Sequence, residues 1–92
     1  MSRCRLEILY SGRVQGVGFR YTVKSVACGY DVSGTVRNLT DGRVLLAVEG
    51  VRPELEAFQK GIRESAVGRF IRQEDVSWQD AKDEFVGFEI VA

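Results

Sequence analysis

Between Tyr10 and Phe19 the apolar period of the chain switches from two to about 3.6, and three glycines, Gly12, Gly16 and Gly18, fill the junction. A strand that runs through a glycine-dense turn straight into a helix narrows both fold and chemistry. Glycine lets successive backbone N–H groups turn toward one concave point, and the positive end of the helix dipole faces the same point. Residues 12–20 are therefore suited to hold an anion. Arg20, at the start of the helix, adds a guanidinium fork able to pair two oxygens of a phosphate or carboxylate.

The rest of the chain places this turn in a fold. Before it, residues 4–10 alternate, with Cys4, Leu6, Ile8 and Tyr10 on one face of a half-buried strand. After it, Phe19, Val23, Val26, Ala27 and Tyr30 recur at helical spacing, and Gly29 is placed to stop the helix. Residues 32–39 read as a strand in which Val32, Val36 and Asn38 share a face, and Thr40-Asp41-Gly42 is a hairpin signal. The return strand spans residues 44–49, with Val44, Leu46 and Val48 alternating, and Gly50 ends it. Pro53 opens a second amphipathic helix through Leu55, Phe58, Ile62 and Ala66. Gly61 inside it costs about 1 kcal/mol of propensity relative to Ala. Residues 71–78 predict a less regular strand, because Arg72-Gln73-Glu74-Asp75 is polar throughout, and residues 85–91 predict a closing one. Tyr10, Phe58, Trp78 and Phe88 fall on apolar faces and are expected in the core. The order β-α-β-β-α-β, with a short extra C-terminal strand, predicts an α+β fold: a ferredoxin-like α/β sandwich with two helices on one face of a mainly antiparallel sheet.

With 92 residues and no linker, repeat or low-complexity tract, residues 1–92 are expected to form a single domain. Composition then removes whole classes of chemistry. The chain has no His, so a His general base, a His-ligated zinc and a Ser-His or Cys-His couple are excluded within it. Its two cysteines form neither a disulfide framework nor a metal pair. Cys4 and Cys28 both read as small core or half-buried residues. No signal peptide or membrane span is apparent, which makes the reducing cytoplasm the expected location. The formal net charge of zero argues against nucleic acid and anionic membrane as partners. It hides a split, however. Residues 1–43 carry seven basic and three acidic side chains, whereas residues 44–92 carry six and ten. An anion is expected on the first half, although a mixed solvated surface explains the charge pattern equally well. Arg13 and Arg37 can steer a substrate or simply be solvated.

Better-known phosphate loops fail on spacing. A G-x4-G-K loop from Gly12 meets Val17 and Gly18, a dinucleotide G-x-G-x-x-G from Gly16 meets Tyr21, and a Cys-x5-Arg phosphatase loop ending at Arg20 meets Val14. The run Gly12-Arg13-Val14-Gln15-Gly16-Val17-Gly18-Phe19-Arg20-Tyr21 instead resembles the signature of the acylphosphatases. Gly34-Thr35-Val36-Arg37-Asn38-Leu39-Thr40-Asp41-Gly42-Arg43-Val44 is similar to that family's second signature, at the expected separation, and Gly50 and Gly87-Phe88-Glu89-Ile90 also match. The resemblance implies hydrolysis of an acyl phosphate to a carboxylate and inorganic phosphate, with no metal or cofactor. It also implies that the backbone amides of Gln15, Gly16, Val17, Gly18, Phe19 and Arg20 cradle the phosphate, that Arg20 binds it, and that Asn38 holds the attacking water.

The residues themselves are compatible with that chemistry. A carboxylate leaves readily, and phosphoryl transfer depends mostly on positioning and charge stabilisation, so the lack of His is no handicap. Taken alone, Asn38 is a turn-flanking residue bonded to local backbone; its pairing with the glycine motif reverses that reading. Thr35 stands where the family often has an aromatic, and Ile90-Val91-Ala92 lacks the usual basic or aromatic tail, which bears on stability and acyl preference. Two alternatives share the fold. One is the anion-binding module of a carbamoyl-phosphate-using hydrogenase maturation factor, which would continue into zinc-binding segments beyond Ala92. The other is a non-catalytic sensor or regulatory module. RNA recognition lacks its basic-aromatic pattern here. No extra apolar stripe is evident, so a monomer is expected.

Overall fold

A computed structural model describes residues 2–92. The elements follow as β1 (Arg3–Gly12), α1 (Phe19–Ala27), β2 (Ser33–Asn38), β3 (Val44–Val51), α2 (Arg52–Arg63), a 3-10 turn at Gly68–Phe70, β4 (Ile71–Asp80) and β5 (Phe88–Ile90). The five strands lie in the order β4-β1-β3-β2-β5. β1 runs antiparallel to β3 and β4, and β2 antiparallel to β3; β5 runs parallel to β2. This is the ferredoxin-like α+β plan. No helix among the described residues is long and apolar enough to cross a membrane.

Register explains why the apolar positions meet. Leu6 lies opposite Val48, Ile8 opposite Leu46 and Tyr10 opposite Val44, while Val36 faces Leu46 from the other side. The period-two pattern of three strands thus falls on one face of the sheet. Both helices cover that face with Phe19, Val23, Leu55, Phe58 and Ile62, each essentially buried. Truncating a side chain such as Phe58 to Ala costs about 3–5 kcal/mol at a site of this kind. Gly61 is where the helices approach: a Cβ there would meet the Tyr30 hydroxyl at 2.9 Å and Val26 Cγ1 at 3.1 Å. The weak helix former is accounted for by close packing.

Several expectations need correction. α2 ends at Arg63 rather than reaching Ala66, because the Ser65 hydroxyl donates to the Ile62 carbonyl at 2.6 Å and closes the last turn. α1 ends at Ala27 without a left-handed Gly29, whose N–H donates to the Val26 carbonyl at 3.0 Å. β4 is longer than expected, ten residues from Ile71 to Asp80, and the expected irregularity falls at its start, where the register against β1 shifts and Arg72 is passed over. It lies at the sheet edge, where charged side chains discourage further pairing. Its Glu74 is tied to α2 by Gln59 Nε2 at 2.7 Å and Arg63 Nε at 2.8 Å. The closing strand shrinks to three residues. Tyr10 and Phe58 are fully buried, but Trp78 and Phe88 are only half-buried against the core. Cys28 is exposed, unlike half-buried Cys4.

Candidate active site

β1 delivers the chain to the glycine turn with a shift of register between Ser11 and Gly12. Val14, 1% exposed, anchors the turn in the core. Gly16 and Gly18 both adopt φ of +78°, and a Cβ at either would touch nothing within 4 Å. Glycine is required there by backbone conformation rather than by space. Gly18 is also the N-cap of α1 and offers no capping side chain, and the first turn carries no acidic residue. The first helical bond runs from Thr22 N–H to the Gly18 carbonyl at 3.0 Å, so the N–H groups of Phe19, Arg20 and Tyr21 precede it. A helix end left in this state attracts an anion through its free N–H groups and its dipole.

Those groups open onto a cavity of about 130 Å³ lined by Val14, Gly16, Gly18, Phe19, Arg20, Tyr21 and Asn38. At about 30 Å³ per liquid water, it can take a small tetrahedral oxyanion with a water beside it. No acidic residue lines it, and Arg20 is in no ion pair among the described residues. Asn38 enters from the end of β2, two residues beyond buried Val36 and on the same side of the sheet. Its Oδ1 is buried without a hydrogen-bond partner. A buried acceptor left empty costs about 1–3 kcal/mol, so this atom calls for a donor from outside the chain.

The turn is held in place from across the site. Gln15 Nε2 donates to the carbonyl oxygens of Leu39 at 2.8 Å and Arg43 at 3.0 Å, in the hairpin that follows Asn38. That hairpin is itself closed by Leu39 N–H on the Arg43 carbonyl at 2.8 Å and by Gly42 at φ +93°. Asp41 accepts from the Arg43 N–H and guanidinium, which together hold its carboxyl below the ordinary carboxylate range.

Of the residues singled out in the sequence, Gly16, Gly18, Phe19, Arg20 and Asn38 converge on the cavity. Gln15 and Val17 do not line it. Gln15 turns its side chain to the hairpin, and Val17 packs half-buried on the core. Sequence reasoning missed Tyr21, 75% exposed at the cavity mouth. It also missed the side-chain role of Gln15. The signal for the first was available, because residue 21 falls in the first turn of a helix whose N-terminus forms the site.

Fold and site together define a small ferredoxin-like sandwich in which an uncapped helix end, an arginine without an ion pair among the described residues and a buried amide oxygen surround one anion-sized cavity. The chain belongs to the acylphosphatase family: the family model described as Acylphosphatase matches residues 6–90. An acylphosphatase of Salinibacter ruber is 41% identical over 86 residues, which cover 94% of this chain and 90% of the relative. The crystal structure of acylphosphatase from Bacillus subtilis superposes with a TM-score of 0.88 at 31% identity, covering 97% of this chain and 99% of that one. The full-length HypF crystal structure in its phosphate- and nucleotide-bound form matches with a TM-score of 0.85 at 31% identity, covering 99% of this chain but 12% of that one.

Proposed function

We propose that the chain hydrolyses acyl phosphates to a carboxylate and inorganic phosphate. The observation that carries this reading is the buried, unpartnered Oδ1 of Asn38 in the same cavity as Arg20 and the open N-terminus of α1. The turn amides and the guanidinium of Arg20 hold the phosphoryl oxygens and balance their charge. Asn38 Oδ1 accepts a hydrogen bond from a water and directs that water's lone pair at phosphorus, in line with the leaving carboxylate. As the new P–O bond forms, the electron pair of the old one leaves with the carboxylate. The proton of the water passes to a phosphoryl oxygen, so no protein base is required. The reading calls for no metal, because N–H dipoles and Arg20 supply the electrostatic stabilisation.

We read residues 1–92 as one catalytic unit acting as a cytoplasmic monomer on a small-molecule substrate, without nucleic acid. Its two unpaired cysteines suit a reducing compartment. The likeness to one part of HypF supports a second reading, an anion-binding module without turnover. Hydrolysis of benzoyl phosphate by the purified chain, with chelator present, separates the two. Turnover that falls in Arg20→Ala and Asn38→Ala supports the hydrolase. Phosphate binding without turnover supports the module.

A further inference from the structure

The 3-10 turn at Gly68–Phe70 is pressed against the beginning of the glycine turn. Arg13 N–H donates to the Phe70 carbonyl at 3.0 Å, and Gly12 pairs with Ile71. A Cβ on Gly12 would collide with the Phe70 carbonyl and stand 2.9 Å from the Arg72 amide. Backbone contacts therefore fix Arg69, Phe70 and Arg72 beside Arg13. Together these four residues line a hollow of about 470 Å³. Arg13 lines the hollow and the next residue, Val14, lines the phosphate-sized cavity, so consecutive residues of the glycine turn serve the two spaces.

The charge of the hollow is unbalanced. Its lining holds three guanidinium groups and no carboxylate. None of the three is ion-paired among the described residues, whereas Arg3, Arg5, Arg43, Arg52 and Arg63 all are. Arg69 and Arg72 come from the acidic half of the sequence, yet none of its ten carboxylates lines this hollow. Arg69 rests on the Phe70 ring, 4.8 Å from its centroid, which holds the guanidinium plane and leaves its edges free to donate. The ring adds an apolar wall between the charges.

We infer that this hollow is the acyl-group subsite, and that it selects acyl phosphates whose acyl group carries a second anionic group, a carboxylate or a phosphate. The inference rests on the hydrolase reading above. The phosphoryl group occupies the cavity at the helix end, the carbon chain crosses Phe70, and the distal anion meets the forks of Arg69 and Arg72 with Arg13 at the border. Both kinds of anion present paired oxygens that such forks engage bidentately.

Three matched substrates test it: benzoyl phosphate and its 4-carboxylate and 4-phosphonate derivatives. The native protein is expected to show a higher kcat/KM for the two charged derivatives than for benzoyl phosphate. Arg69→Gln and Arg72→Gln are each expected to lower that preference by up to about fivefold, a range set by partly exposed ion pairs, while benzoyl phosphate turnover is retained. Added salt should compress the preference. A larger effect on the phosphonate than on the carboxylate identifies phosphate as the distal group; equal effects identify the charge alone. Equal kcat/KM for all three substrates, or a preference that survives both substitutions, overturns the subsite and leaves the hydrolase reading standing. Loss of benzoyl phosphate turnover in both variants assigns the arginines to support of the turn and also overturns it. No turnover of benzoyl phosphate by the native protein overturns the hydrolase reading, and the subsite with it.

Discussion

Gln15 and Leu39 are joined across the site by a 2.8 Å hydrogen bond from the side-chain amide of one to the carbonyl of the other, and the same amide reaches Arg43 at 3.0 Å. One NH₂ group thus ties the glycine turn to the hairpin that carries Asn38. Gln15→Glu removes both donors and sets a carboxylate against two carbonyl oxygens. It is expected to lower stability by about 1–3 kcal/mol and turnover more than Gln15→Ala does. Urea unfolding and steady-state hydrolysis of benzoyl phosphate measure the two effects. Equal activity in the native protein and both variants would show that the turn holds its shape without the tie.

Asn38 and the fold have opposed interests. Its Oδ1 is buried and accepts from no other group of the protein, so the amide oxygen contributes no hydrogen bond to the fold. Asn38→Ala is expected to leave stability unchanged or raise it by up to about 1 kcal/mol, while turnover drops about 100- to 1000-fold. A stability loss of more than about 2 kcal/mol, on the scale of a broken buried tie, would show that the amide serves the structure and not the water.

Binding can be separated from turnover with inorganic phosphate. A ligand that binds only the folded state at 100 times its Kd stabilises it by about 2.7 kcal/mol. Thermal melts in phosphate, compared with chloride of equal ionic strength, are expected to rise for the native protein and to rise little for Arg20→Ala. Arg20→Lys keeps the charge but loses the fork, so an intermediate rise is expected. Equal rises in all three proteins would move the anion away from Arg20.

The parts of this molecule that were legible in the sequence are those governed by local backbone demands. Gly16 and Gly18 announce positive φ, the alternation around Val36 sets the side on which Asn38 emerges, and Pro53 marks the entry to α2. What stayed hidden depends on residues far apart along the chain. Alternation assigns Glu49 to the face of β3 away from the helices, yet it is fully buried, because the segment after β4 folds back over that face. Dividing the charges by halves of the sequence hid the meeting of Arg13 with Arg69 and Arg72, which the antiparallel return of β4 along β1 brings about. Cys28 was misplaced for a different reason: it is the C-cap of α1, where its thiol lies exposed against the Lys24 carbonyl instead of packing on the core.

Glu49 is expected to make the fold sensitive to acid. Burial alone would push its carboxyl up. The N–H groups of Lys82 at 2.9 Å and Asp83 at 3.0 Å, with the Arg5 guanidinium at 3.2 Å, outweigh burial and hold it below the ordinary range. Arg5 also serves Glu7 and Glu84 and lies 4.7 Å from the centroid of the Phe85 ring, so one cluster fastens the segment leading to β5. Because the folded-state value is depressed, the unfolded chain binds the proton first. The stabilisation is complete above about pH 4.5, near the ordinary Glu value, and is lost as pH falls through the lower folded value. Glu49→Gln is expected to cost about 3 kcal/mol near neutrality and to flatten the fall in stability between about pH 5 and pH 3, the window in which ordinary carboxylates protonate. Urea unfolding across that range checks both. β5 pairs with β2 at Gly34, Thr35 and Val36, two residues short of Asn38. Turnover is therefore expected to decline together with stability as this segment loosens at low pH; a pH–stability slope identical in the native protein and Glu49→Gln would assign the acid sensitivity to other carboxylates.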